Sequence, residues 1–261
     1  MSELVEQEEG KEGGGYWPPI FVQGKEEEER VINDLKAGEL PGEVKLGCRC
    51  GGVDLLVKAG EAQREFEKLA KEGRGKLPWF VDPVTHKSVG TFDGCDSCRI
   101  WSGVEVFNWT FFLLKHVGFG DGSEGFPTDT AELKAAVGEG ERREVKVDAK
   151  FGTLAYYASS PDVQRYFCSR CAACVFYCID DRPDMVDVAV GLLHAPEGAR
   201  AESIISWELG GEIGWREDME GTWRENLLNT VEKEAEEWRV KRGYPKSWRR
   251  AAREAGDVQS E

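Results

Sequence analysis

The chain lacks what would carry it into a membrane or onto a polyanion. Its longest apolar stretches, such as 109–114 with Thr110 inside it, fall far short of the ~20 residues that span a bilayer. Residues 1–15 are rich in Glu and Gly and have neither the basic start nor the apolar run of a signal peptide. A basic excess is missing as well. The net charge of −15 repels nucleic-acid phosphates and anionic lipid faces, so we expect neither nucleic acid nor membrane as a partner. These absences imply a cytosolic or nuclear protein, and we take the cytoplasm as the expectation. Histidine is scarce too: His86, His116 and His194 are the only three, and none falls in a cysteine motif.

What the chain does have is bulky core material. Across 261 residues, 12 Phe, 9 Trp and 6 Tyr offset a 32% charged content and imply a folded unit with one good-sized core and appendages. Residues 1–24 read as an acidic tail without fixed structure, and Gly13, Gly14 and Gly15 lie within it. The charged stretch 25–36 permits a helix. From 44 to 57 the alternation suits strands around a tight Cys-Gly-Gly turn. Ala62, Phe66, Leu69 and Ala70 share one face at helical spacing, which predicts a helical insertion over 59–73 that stops at Gly73. Strand-like runs follow at 143–147, 153–159 and 186–193, so the core is expected to be mainly β. Asp129 with Glu132 marks a short helix that ends at Gly138. The β domain is expected to run over 25–215. Beyond it, 216–261 changes character: Thr222 with Glu225 forms a capping box, and Trp223, Leu227, Val231, Ala235 and Trp238 recur as an apolar stripe. That helix should stop near Gly243 and Pro245, with Ser247 capping a second, basic one.

Eight cysteines without a secretion signal point to metal ligation rather than disulfides. Six of them are paired: Cys48 with Cys50, Cys95 with Cys98, and Cys168 with Cys171. Two thiolates one or two residues apart can meet a single Zn²⁺ at about 2.3 Å, and two such pairs close a tetrahedron. Three pairs exceed one ion, which leaves either an idle pair or a second metal. A structural site takes four protein ligands, whereas a catalytic site keeps a position open. Cys174 and Cys178, in an apolar run, read as small core residues.

The order of these motifs resembles the glutathione-dependent formaldehyde-activating enzyme family, which includes the centromere protein V relatives. The resemblance lies in Cys48-x-Cys50-Gly51, in Cys95-x-x-Cys98-Arg99, and in a run carrying Gly152, Leu154, Tyr157, Ser159, Ser160, Arg165, Phe167, Cys168 and Cys171. The stretch 186–193 is similar to the family's closing strand, and the likeness spans roughly 44–212. It implies an Mss4-like β fold, here with a helical insertion and C-terminal amphipathic helices. It further implies a structural zinc on Cys48, Cys50, Cys168 and Cys171, and a second, catalytic zinc. The family motif for that second ion is Cys-His-Cys-x-x-Cys, whereas this chain has Asp93-Gly94-Cys95-Asp96-Ser97-Cys98. An Asp93, Cys95, Cys98 site with one carboxylate is harder and leaves the ion a stronger Lewis acid. Cys171 is followed by Ala172 where the family favours glycine, which implies an altered turn.

The activity so implied is that of a carbon–sulfur lyase or synthase acting on a small-molecule thiol or thiol adduct, with glutathione as a cosubstrate. Arg99 and Arg165 are candidate carboxylate clamps, Asp96 is a candidate proton carrier, and Ser97 is a candidate substrate contact. The alternative is a non-catalytic zinc scaffold that binds a protein partner through the Trp-bearing C-terminal helix.

Overall fold

The computed structural model describes residues 41–73, 77–138 and 149–254. The tail, the charged stretch at 25–36 and the run at 143–147 lie outside the described residues.

The alternation at 44–57 folds as a hairpin. Strand β1 (Val44–Gly47) pairs antiparallel with β2 (Asp54–Val57) across the turn that carries Cys48 and Cys50. With β5 (Val117–Phe119) and β10 (Leu193–His194) they make a four-stranded sheet ordered β10-β1-β2-β5. The larger sheet has seven strands, β3 (Ser88–Asp93), β4 (Phe107–Leu113), β6 (Leu154–Ser160), β7 (Val163–Cys168), β8 (Cys174–Ile179), β9 (Met185–Ala189) and β11 (Ile205–Trp207). Their order is β11-β3-β4-β9-β8-β7-β6, antiparallel except for β11 against β3. One apolar core takes in both sheets, with Leu46, Leu55, Phe119, Phe112, Tyr166 and Phe176 among its buried members. The described fold is therefore mainly β, built on two sheets, with helices applied to them.

Helix α1 (Ala59–Glu72) realises the predicted insertion. Ala62 and Phe66 are buried, and Phe66 sets its ring edge-on to Phe80 and His116. Helix α2 (Asp96–Ser102) lies inside the middle cysteine motif, where no helix was expected. Helix α3 (Thr130–Val137) starts as expected: Asp129 Oδ1 accepts the Glu132 N–H at 2.8 Å. Helices α4 (Trp223–Lys241) and α5 (Trp248–Glu254) close the chain. Thr222 Oγ1 accepts the Arg224 N–H, Glu225 reaches back to the Gly221 N–H, and Ser247 Oγ accepts the Arg250 N–H.

The expected stripe on α4 needs correction. Trp223 is 69% exposed, while Arg224 and Leu228 are buried instead. The buried face is centred on Arg224, Leu228 and Arg239, with Leu227, Val231, Ala235 and Trp238 of the expected stripe half-buried beside it. Leu228 and Val231 pack with Ile213 and Met219, and the Arg224 guanidinium finds oxygen acceptors that Trp223 could not use. Among the described residues no helix is long and apolar enough to cross a membrane.

Candidate metal centres

The first centre joins the two sheets at their turns. Cys48 and Cys50 sit on the β1–β2 turn and Cys168 and Cys171 on the β7–β8 turn, with all four sulfurs within 4.8 Å of one another. Cys48 Sγ lies 3.4 Å from Cys50 Sγ, which is 3.5 Å from Cys168 Sγ. Sulfurs bound to one zinc at about 2.3 Å stand about 3.8 Å apart, so the spacing fits a shared ion and the soft donor set suits zinc. The Val53 N–H donates to Cys48 Sγ at 3.3 Å, and Thr153 Oγ1 lies 3.0 Å from Cys168 Sγ. Burial pushes the Cys168 thiol up, but the Thr153 hydroxyl and the N–H groups of Cys171 and Arg170 outweigh it and bring the thiol down to about 6. A thiol so poised ionises readily for a metal. Thr153, just before β6, bridges the two turns: its N–H donates to the Gly52 carbonyl at 2.7 Å and its carbonyl accepts the Ser169 N–H at 2.8 Å. That approach requires glycine at 152, where a Cβ would meet the Gly52 oxygen at 2.3 Å. Ala172, after Cys171, is held at φ +59°, the left-handed conformation that glycine takes without strain.

The second centre is local. Asp93 ends β3, Cys95 caps α2, and Cys98 lies in its first turn, with their ligand atoms within 4.8 Å of one another. Asp93 Oδ1 accepts the Cys95 N–H at 2.9 Å, and Cys95 Sγ accepts the Cys98 N–H at 3.2 Å. Among the described residues this group has three donors, one short of a closed tetrahedron. Of the two thiols Cys98 is held down by the hydrogen bond from Cys95, with the Arg165 charge helping, while the same bond pushes Cys95 up.

This group opens into a cleft of about 690 Å³ whose lining includes Trp79, Ser97, Trp109, Phe111, Tyr177 and Arg165. Register places a row of side chains across its floor: Arg165 on β7 opposes Tyr177 on β8, Tyr177 opposes Asp187 on β9, and Asp187 opposes Phe111 on β4. Arg165 is 6% exposed, and among the described residues no carboxylate lies in ion-pair range of it. Its Nε donates to Ser159 Oγ at 3.1 Å, its Nη1 stands 4.0 Å from Cys98 Sγ, and its Cζ lies 5.3 Å from the Trp101 ring centre and 4.9 Å from that of Tyr177. Asp187 is also buried. Burial pushes its acid up to about 7 against the pull of Arg182, whose Nη1 is 3.1 Å from Oδ1 and whose Nη2 donates to Oδ2 at 3.4 Å.

The other sequence candidates lie elsewhere. Arg99 and Asp96 pair with each other at 3.2 Å and do not line the cleft. His116 is fully buried and bonds Glu65 at 3.1 Å, and His194 bonds the Gly47 carbonyl at 3.1 Å. No histidine belongs to either cluster. Cys178 is a fully buried core residue, and Cys174 is half-buried on the same strand.

The sequence reading missed Asp187, Tyr177 and everything the C-terminal extension does here. One signal for Asp187 was available, a single acid inside the apolar strand β9. The end of the β domain and the start of the extension together wrap the second centre. The Gly214 N–H donates to the Phe92 carbonyl at 2.9 Å, and the Gly94 N–H to the Gly214 carbonyl at 3.1 Å. Asp218 Oδ2 accepts the Asp96 N–H at 2.9 Å. A Cβ at Gly94 would stand 2.4 Å from Met219 Sδ, so the extension fills that space.

Compared with known proteins, the chain matches no protein-family model and no curated protein.

Proposed function

We propose that the protein is a two-zinc enzyme of the formaldehyde-activating type, on an Mss4-like fold, which makes or breaks a carbon–sulfur bond in an adduct of a thiol carrying a carboxylate. Glutathione is the model thiol. One observation carries the reading: a three-donor group of Asp93, Cys95 and Cys98 opens into a cleft whose floor holds a buried guanidinium with no carboxylate partner among the described residues. A buried cation is costly unless paired, and a carboxylate on the substrate would complete it.

In the synthetic direction the substrate sulfur forms a bond to an aldehyde carbon, the C=O π bond opens, and the thiol proton ends on the oxygen. No oxidant or reductant is needed. Zinc on Asp93, Cys95 and Cys98 would supply Lewis-acid polarisation and favour the thiolate form of the incoming thiol. Arg165 holds the carboxylate by its planar fork, and Tyr177 and Trp101 fix the guanidinium. Trp79, Trp109 and Phe111 exclude water from the reacting atoms. Asp187, poised near neutrality and paired with Arg182, is the carboxyl that moves the proton.

The test is NMR-detected exchange between aldehydes and glutathione or smaller carboxylate thiols, with zinc-loaded protein. Acceleration that falls at least tenfold in Cys98→Ser and Arg165→Met supports the reading. No acceleration over the panel, or a rate the two substitutions leave untouched, defeats it.

The scaffold reading has the exposed Trp223 on α4 in its favour. It requires one tightly held zinc per chain, whereas the enzyme reading requires two.

A further inference from the structure

The C-terminal extension lies outside the stretch that carries the family resemblance, yet it supplies a buried arginine to the second centre. Arg224 is 4% exposed. Its Nη2 donates to the Gly94 carbonyl at 2.6 Å and to the Glu105 carbonyl at 3.2 Å, and its Nη1 donates to Asp96 Oδ1 at 2.7 Å. Its Nε stands 2.7 Å from Glu105 Oε2. These acceptors lie in or beside the loop that carries the three donors.

The peptide unit between Gly94 and Cys95 is gripped at both ends. Arg224 holds its oxygen, and Asp93 Oδ1 holds its N–H. That unit separates the carboxylate donor from the first sulfur donor, so its plane sets how the two face each other. Its N–H is bonded to Asp93 Oδ1, so the same peptide unit also restrains the carboxylate. Gly94 has no side chain to restrain the loop, and the space one would fill is taken by Met219. A loop of this kind depends on an outside grip. A guanidinium supplies a rigid fork of donors that lysine cannot reproduce.

We propose that Arg224 is a positioning residue of the second metal centre, holding the 93–98 loop in ligating geometry from the C-terminal helix. This rests on the reading that Asp93, Cys95 and Cys98 bind a metal.

The experiment is cobalt titration of the full-length apo-protein, followed by the visible d–d and sulfur-to-cobalt bands, with metal counting on zinc-loaded samples. The native chain is expected to take two ions, distinguishable by their spectra because one site is all sulfur and the other has an oxygen ligand. In Arg224→Met the second ion should bind 10–100-fold more weakly, the range typical of lost outer-shell support. The all-sulfur bands should be unchanged, which shows the fold intact. Arg224→Lys, which keeps the buried cation, should fall between the two, and it replaces the methionine variant if that one does not fold. Unchanged affinity and spectrum of the second ion in the folded variant overturn the role of Arg224 and leave the metal reading standing. A native chain that takes only one ion overturns both.

Discussion

The two clusters differ in how the chain builds them. The all-sulfur group draws its ligands from two turns, with Cys50 and Cys168 separated by 118 residues, and it ties the small sheet to the large one. The second group lies within the segment 93–98 and ties nothing together by itself. A metal on the first therefore closes a long loop, and its binding free energy is folding free energy. A metal on the second meets a loop already held by the extension. Long-range ligands make a structural clamp, whereas local ligands with an open side leave room for substrate.

The sharpest way to break this contrast is to remove one sulfur from each. Cys168→Ser should abolish cooperative unfolding or lower the melting temperature by more than 15 °C, because structural zinc sites contribute roughly 10 kcal/mol to folding. Cys98→Ser should lose one ion and shift the melt by only a few degrees. Calorimetry with metal counting reads both. Equal shifts would mean that the clusters share one structural role.

Asp187 sharpens the comparison from the cleft side. Its acid is held at about 7, above the ordinary carboxylate value of about 4, because burial disfavours its charge. Between those values the native protein binds more protons than the unfolded chain, so this group subtracts stability as pH rises through that window. Asp187→Asn removes the penalty. Its stability relative to the native chain should improve by roughly 2–4 kcal/mol between pH 4 and pH 8, since each pKa unit is worth about 1.4 kcal/mol. The unpaired Arg182 adds a constant offset that does not change with pH. Denaturant unfolding across that range at fixed zinc measures the difference, and a flat difference would show that Asp187 is ionised throughout.

Glycine tests the two turns in the same currency. At Gly152 a new Cβ meets the Gly52 carbonyl at 2.3 Å with φ at +59°, and backbone cannot swing aside. Gly152→Ala should cost about 2–4 kcal/mol. At Gly94 the obstacle is the end of the Met219 side chain, so Gly94→Ala should cost about 1–2 kcal/mol. Met219→Ala should absorb most of that second cost in the double variant and none of the first, a coupling that a double-mutant cycle measures. Additive effects at Gly94 would mean that Met219 does not occupy the space.

Local chemistry was legible in the sequence and register was not. Paired thiols announce themselves by spacing, and both clusters assemble from the cysteines that the motifs single out. Helices α1, α3 and α4 appear where periodicity and caps place them. The start of the buried face of α4 was misread because Trp223 looks like a core residue, while the side chain that docks is the neighbouring Arg224. No local pattern reveals that choice, since its acceptors, Gly94, Asp96 and Glu105, are more than a hundred residues away. Asp187 and Arg165 face one cleft only because β7, β8 and β9 pair in a particular register. The short helix α2 escaped notice because its cap is a cysteine side chain rather than the usual hydroxyl or carboxylate.

The smallest effect concerns the turn after Cys171 at the all-sulfur site. Ala172 is exposed and sits at φ +59°, donating its N–H to the Cys168 carbonyl at 2.8 Å. A Cβ in the left-handed region costs about 1–2 kcal/mol, and glycine gives back about 0.5–1 kcal/mol through the entropy of the unfolded chain. Ala172→Gly should therefore stabilise by less than about 1 kcal/mol, a rise of a degree or two in melting temperature at unchanged metal content. The equivalent gain is not available at the second centre, whose loop already has glycine at 94 and draws its rigidity from outside. A fall in stability instead would mean that the turn tolerates alanine without strain and that the clamp gains nothing from glycine there.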